Sequence, residues 1–170
     1  MKLLIVSDSH GLQEELLTIR ERHADVDKMI HCGDSELPQD SKEMSAFLGV
    51  RGNCDYDASY VNDRVESLGE ATCLVTHGHL YNVKMSMMNL HYKAREVGAN
   101  VVCFGHSHIA GAELMDGVLF INPGSMLLPR MRKERTYAIL VVDGTEATVQ
   151  FYDISGKHIP SMQLTCTLSA

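Results

Sequence analysis

The sequence predicts an α/β domain of two packed β-sheets with helices on the outside. Three observations carry that expectation. Residues 1–104 alternate short apolar runs with amphipathic stretches, the pattern of parallel strands joined by helical crossovers. The later residues instead pair apolar runs around Asp116-Gly117 and Asp143-Gly144, dipeptides that favour tight antiparallel hairpins. Finally, 170 residues with 45% hydrophobic and 22% charged side chains describe one ordinary globular domain, residues 1–170, long enough to bury a core.

Leu3 to Val6 is a continuous apolar run and reads as a strand buried on both faces. Gly11 gives a turn, and Leu12, Leu16, Ile19 and His23 then recur at helical spacing with charged residues between them. Lys28 to Cys32 is a second strand, so strand, helix and strand form a parallel crossover unit. Residues 35–46 are polar with room for a short helix, and Phe47 to Arg51 reads as a third strand. Asp63–Leu68 and Ala71–Thr76 flank Gly69-Glu70 as a hairpin. Met87, Leu90, Ala94 and Val97 mark a second amphipathic helix, with Met85, Met87 and Met88 read as core filling. Val101 to Phe104 is the next strand. Ala112–Met115 with Val118–Asn122, and Tyr137–Val142 with Ala147–Tyr152, form the two later hairpins, separated by Pro123-Gly124-Ser125. The tail beyond Tyr152 carries no clear pattern and is expected to fray.

The net charge of −7 argues against non-specific binding of nucleic acid or of an anionic membrane. A phosphate substrate remains compatible, because bound metals reverse the local field. Five scattered cysteines, without a CxxC pair, fit a reduced, cytoplasmic protein. The N-terminal apolar run is too short for a signal peptide, and no segment approaches the roughly 20 apolar residues of a spanning helix.

Five apolar runs end on metal-ligand residue types: Asp8 with His10, Asp34, Asn53, His77, and His106 with His108. In open α/β sheets ligands gather at such strand ends. On a strand, alternate residues share a side, so Asp8 and His10 can converge. An isolated Asp-x-His is more simply an N-cap beside an incidental histidine, but five such ends together are not. Two carboxylates, one amide and four imidazoles suffice for two adjacent metals if one carboxylate bridges. His23, His31, His91 and His158 lack this context and read as ordinary surface or core histidines.

The order Asp8-x-His10, Gly33-Asp34, Gly52-Asn53, His77 and Gly105-His106-x-His108 resembles the calcineurin-like metallophosphoesterase superfamily over roughly residues 1–152. Gly52-Asn53-Cys54-Asp55, Thr76-His77-Gly78-His79, Asn122-Pro123-Gly124-Ser125 and the small size are similar to its compact bacterial and archaeal phosphodiesterase branch. The resemblance implies a four-layer sandwich, two mixed sheets flanked by helices, around a dinuclear site. It places Asp8, His10, Asp34 and His108 on one metal and Asp34, Asn53, His77 and His106 on the other, bridged by Asp34. It also implies phosphodiester hydrolysis by a hydroxide that bridges two divalent metals. Donors without thiolate suit Mn²⁺, Fe²⁺, Ni²⁺ or Zn²⁺, with Mn²⁺ the expected ion.

Many members of that superfamily carry His where this chain has Cys54, and a thiol is the poorer proton donor. His79 is the candidate replacement, against the plain reading of a surface histidine after a turn. Cys54, Asp55 and His79 are the catalytic candidates beside the ligands. Asn122 and Ser125 read as shaping a nearby loop, and Arg130 and Arg132 as a solvated basic patch or a contact to substrate phosphate. A phosphomonoesterase or a nuclease uses the same centre. The resemblance also extends to a retromer coat subunit that has this fold and acts mainly as a binding scaffold. The retention of every ligand type favours an enzyme acting on a small phosphodiester; whether it forms a homo-oligomer is left open.

Overall fold

The computed structural model describes residues 1–169. Strands β1 (Lys2–Val6), β2 (Lys28–His31) and β3 (Phe47–Gly49) pair in parallel, with helix α1 (Glu14–Arg22) crossing between the first two. Strands β4 (Asp63–Leu68) and β5 (Ala71–Thr76) form the hairpin at Gly69-Glu70. Helix α2 (Met88–Glu96) then leads to β6 (Val101–Cys103), parallel to β5. Strands β7 (Gly111–Met115) and β8 (Val118–Asn122), then β9 (Thr136–Asp143) and β10 (Glu146–Asp153), are the later hairpins, and β11 (Leu164–Thr167) closes the chain. One sheet has the order β11-β10-β9-β1-β2-β3 and the other β4-β5-β6-β8-β7. Both are mixed, as the change of pattern along the sequence requires.

Side-chain alternation builds four layers from this order. In β1, Leu3 and Ile5 enter a core between the sheets that also holds Cys73, Val75, Val101 and Cys103. Leu4 and Val6 face the other way, onto Leu16 and Ile19 of α1. Leu74 and Val102 likewise leave the shared core to meet Leu90 and Ala94 of α2. All four apolar residues of β1 are fully buried, which is why its run is continuous rather than alternating.

Four local expectations change. No helix forms over residues 35–46, where turns run instead. Backbone N–H groups there donate to side chains, Leu37 to Ser35, Gln39 to Asp57 and Met44 to Ser41, and such local bonds compete with a helix. The tail does not fray: β11 pairs with β10, placing Ala147 opposite Cys166 and Val149 opposite Leu164, so a short period-two pattern was present. The last hairpin turns at Gly144-Thr145, because Asp143 pairs with Glu146. Met85 and Met88 are exposed rather than core residues.

Candidate metal centre

The carboxyl ends of β1, β2 and β3 in one sheet and of β5 and β6 in the other bring five loops together. Backbone bonds tie them: Asp8 N donates to Gly33 O and His10 N to Asp34 O, both at 3.0 Å, and Gly105 N donates to His77 O at 2.9 Å. The convergence is not the work of strand alternation, because β1 ends at Val6. Asp8, His10, Asp34, His106 and His108 all have positive φ, between 43° and 67°. Left-handed backbone costs an L-residue about 1–2 kcal/mol, and such residues cluster where surrounding structure enforces them at functional sites.

Asp8 is fully buried. Its Oδ2 accepts from Ser7 Oγ and from the His106 N–H. Its Oδ1 is buried with no aligned hydrogen-bond donor. Three imidazole nitrogens face that oxygen: His108 Nε2 at 3.0 Å, and His10 Nε2 and His77 Nε2 each at 3.9 Å. Asp34 Oδ2 lies 3.2 Å from His77 Nε2, and Asn53 Oδ1 lies 3.0 Å from the same nitrogen. Two donor groups result, Asp8 with His10 and His108, and Asp8 with Asp34 and His77. The carboxylate common to both is Asp8, whereas the resemblance assigns the bridge to Asp34.

The ring tautomers follow from the outer contacts. His77 Nδ1 lies 2.7 Å from Cys32 O, and His108 Nδ1 lies 2.7 Å from Leu128 O. A carbonyl only accepts, so each Nδ1 carries the proton and each Nε2 turns a lone pair inward. His10 Nδ1 meets Glu36 Oε1 at 2.8 Å, which orients its Nε2 in the same way. Burial pushes the Asp8 carboxyl up, but His108, His77 and Ser7 overcome it and hold the group below the usual carboxylate value. Burial opposes ionised Asp34 too, and His77 with the Cys54 N–H again wins. His77 is raised despite its burial, by Asp34 and Asp8, and His108 is raised chiefly by Asp8. The negative potential that draws protons to these rings equally favours a divalent cation. His106, partly buried and close to His77 and Lys84, is instead lowered to about 4.

The three catalytic candidates sit differently. Asp55 is buried, and its carboxylate accepts the N–H groups of Asp34 at 2.9 Å, Gly52 at 2.7 Å and Glu36 at 2.8 Å. It is committed to the backbone that carries Asp34. The Cys54 thiol groups with His10 and Glu36, and burial with nearby Asp34 pushes it up to about 11, so it stays protonated. His79 lies with its ring 5.3 Å from that of His77 and 6.0 Å from that of His106. Its Nδ1 is buried without a partner, and burial followed by His77 lowers its pKa.

Sequence reasoning passed over two bracing residues. His31 is fully buried, accepts the Gly33 N–H at Nδ1 and donates from Nε2 to Ser9 Oγ at 2.8 Å, clamping the first two loops together. Its place as the last residue of β2 before Gly33-Asp34 was the available signal. Glu36, which orients His10, carried none beyond its nearness to Asp34. Ser125 Oγ donates to Asp8 O, and Asn122 Nδ2 donates to Gly105 O, so both do shape the loops. Arg132 is paired with Glu134 at 3.1 Å. His23 bonds Tyr137, His91 lies near Asp116 and His158 packs on Tyr152.

Residues 1–145 match the profile described as the calcineurin-like phosphoesterase superfamily domain. The probable metallophosphoesterase YsnB of Bacillus subtilis is 50% identical over 169 residues, covering 99% of this chain and all of that one. A predicted phosphoesterase structure from Streptococcus pneumoniae superposes with a TM-score of 0.93 at 33% identity, covering 98% of this chain and 97% of the other. Phosphodiesterase YfcE of Escherichia coli is 24% identical over 168 residues, 82% of this chain and 87% of that protein. Vps29 of Entamoeba histolytica, solved with zinc, shares the fold at a TM-score of 0.78 and 16% identity, over 99% of this chain and 100% of the other.

Proposed function

This chain belongs to the calcineurin-like phosphoesterase superfamily, and from that premise we propose that it hydrolyses small phosphodiesters with two divalent metal ions. The observation behind the proposal is Asp8 Oδ1, buried and unpartnered while three imidazole lone pairs converge on it. An unpaired buried carboxylate oxygen is costly, and a cation shared with those rings removes the cost. Asp8, His10, Asp34 and His108 would hold one ion, and Asp34, Asn53, His77 and His106 the other, with Asp34 drawn in as the bridge. This oxygen and nitrogen donor set, without thiolate, is compatible with Mn²⁺, Fe²⁺, Ni²⁺ or Zn²⁺, and Mn²⁺ is the ion proposed. Divalent ions there supply Lewis acidity towards phosphate and towards water.

The chain's own residues position and protonate. The carbonyls of Cys32 and Leu128 fix the His77 and His108 rings, and Asp55 fixes the backbone of Asp34 through three N–H groups. His79 is the proposed donor to the leaving oxygen, because Cys54, at about 11, gives up its proton poorly. Asn53, a proposed ligand, and Glu36, beside His10, are exposed, so a phosphorus with two organic substituents has room to approach. The name of YfcE supports a diester over a monoester or a polymeric nucleic acid. The described residues contain no helix long and apolar enough to cross a membrane, and free cysteines support a cytoplasmic setting.

Elemental analysis of purified protein, followed by diester and monoester screens with added Mn²⁺, tests this reading. Bound divalent metal and faster diester turnover are expected. Protein that neither takes up metal nor turns over either ester class would overturn it.

A further inference from the structure

Beside the metal centre runs a groove of about 370 Å³, lined by Glu36, Leu37, Pro38, Tyr56 and Asp57. We propose that this groove receives a flat, nucleobase-sized ring of the substrate, stacked on Tyr56, and so sets specificity; the inference rests on the phosphodiesterase reading above.

Three features support the assignment. The groove adjoins the centre, because Glu36 in its wall also bonds His10 at 2.8 Å. Its walls are fixed rather than loose. Asp55 accepts N–H groups from Asp34 and Glu36, and Asp57 accepts the Gln39 N–H at 2.8 Å. Residues 36–39 and 55–57 are thereby tied to each other and to the ligand Asp34. Within this rigid frame Tyr56 is 91% exposed. An aromatic ring held in water beside an apolar shelf of Leu37 and Pro38 offers a stacking platform, and stacking accepts any flat base. Charge narrows the occupant. Glu36 and Asp57 repel a second phosphate, whereas a neutral ring bearing N–H donors meets acceptors there.

Exposure makes Tyr56 a clean test position, since truncating it opens no cavity. Two substrates share a p-nitrophenolate leaving group, thymidine 5′-p-nitrophenyl phosphate and methyl p-nitrophenyl phosphate. Intrinsic reactivity cancels when the kcat/KM ratio of the pair is compared between variants. Tyr56→Ala should shrink the preference for the thymidine ester by about tenfold, the scale of one lost base stack, mainly through KM. Tyr56→Phe should keep it. A second readout needs no turnover. The chain has no tryptophan, so Tyr56→Trp introduces a single indole emitter. Thymidine 5′-phosphate should quench it at concentrations where ribose 5-phosphate does not. An unchanged ratio in Tyr56→Ala, or equal quenching by the two phosphates, would overturn the groove assignment while leaving the hydrolase reading intact. Absence of all diester turnover would instead strike at that reading, and the quenching comparison would still decide the groove.

Discussion

Gly52→Ala tests whether the backbone of the Asn53 loop is what seats Asp34. Gly52 does not have positive φ, so no turn geometry demands glycine there. What demands it is proximity. A Cβ at position 52 would stand 2.5 Å from Asp34 N and 2.7 Å from Asp34 Cγ, and closer still to Oδ1, where ordinary contact begins at 3.4 Å. Relief needs a movement of about 1 Å, and Asp34 is backbone on one side and candidate ligand on the other. Both Gly52 N and Asp34 N donate to Asp55 Oδ2, so separating the loops strains one of these charge-assisted bonds. Overpacking costs about 1–3 kcal/mol and a weakened bond to a charged acceptor adds to it, so a loss of about 3 kcal/mol is expected. For a chain of this size that lowers Tm by roughly 6–12 °C. Displacing a supporting group typically costs about 10–100-fold in metal affinity. The control is Gly69→Ala, in the β4–β5 hairpin, with φ +78° and nothing within 4 Å of the added carbon. It carries only the left-handed penalty of about 1–2 kcal/mol and should leave Mn²⁺ binding unchanged. Titration of Mn²⁺ and thermal melts on both variants decide the matter. If Gly52→Ala binds Mn²⁺ like wild type and melts no lower than Gly69→Ala, close packing against Asp34 is not what selects glycine.

Other outcomes follow from the same geometry. Asp34→Asn removes the charge proposed to serve both ions, so elemental analysis should show lost metal and a rate assay lost hydrolysis; two retained ions with normal turnover would refute the bridge. His31 is neutral when folded, lowered from 6.5 to about 4 by burial against the pull of Asp55 and Asp8. Its folded pKa is depressed below the unfolded value, so its contribution is complete above about pH 6.5 and is lost as pH falls towards 4, a span of about 3 kcal/mol. Urea unfolding in chelator should therefore weaken less on acidification in His31→Asn than in wild type, and parallel curves would discount it. His79→Ala should slow alkyl diesters far more than nitrophenyl diesters, since acid assistance is worth about 10²–10⁴-fold and only alkoxides need it. An unmoved substrate ratio in His79→Ala would remove His79 from the mechanism, and a selective lift of the alkyl substrate in Cys54→His would show that the site lacks a donor.

Much of this molecule was legible because buried strands and hairpin turns leave direct marks. Leu3 to Val6 and Val101 to Cys103 are continuous apolar runs because both their faces are covered, and Asp116-Gly117 supplies the two positive φ values its hairpin needs. The candidate ligands stood out because they follow such runs. What escaped notice has a common physical origin: its partners are distant in sequence. Asp55 reads as a catalytic candidate after Asn53, but its bracing role is invisible until the fold delivers three backbone N–H groups to it. His31 looks like a strand residue until Ser9, 22 positions away, meets its Nε2. The turns at 35–46 rest on Asp57, contributed from 18 positions away.

The same distinction explains how two sheets can make one small site. Strand alternation would send Asp8 and His10 to one side of β1, but the strand stops at Val6, so the loop sets the path through both residues. Left-handed residues shorten that path. Placing Asp8, His10, Asp34, His106 and His108 at positive φ folds each loop back within two or three residues of its strand. Aspartate and histidine tolerate that region better than branched or bulky residues, so the side chains proposed to bind metal also suit the backbone that gathers them. The remaining strain is opposed by the bracing layer: Ser125 on Asp8 O, His31 between Ser9 and Gly33, and Asp55 on Asp34 N. Removing a brace should therefore loosen the ligands without touching them. The bracing hydrogen bonds thus help to hold Asp8 Oδ1 and the imidazole lone pairs facing one point.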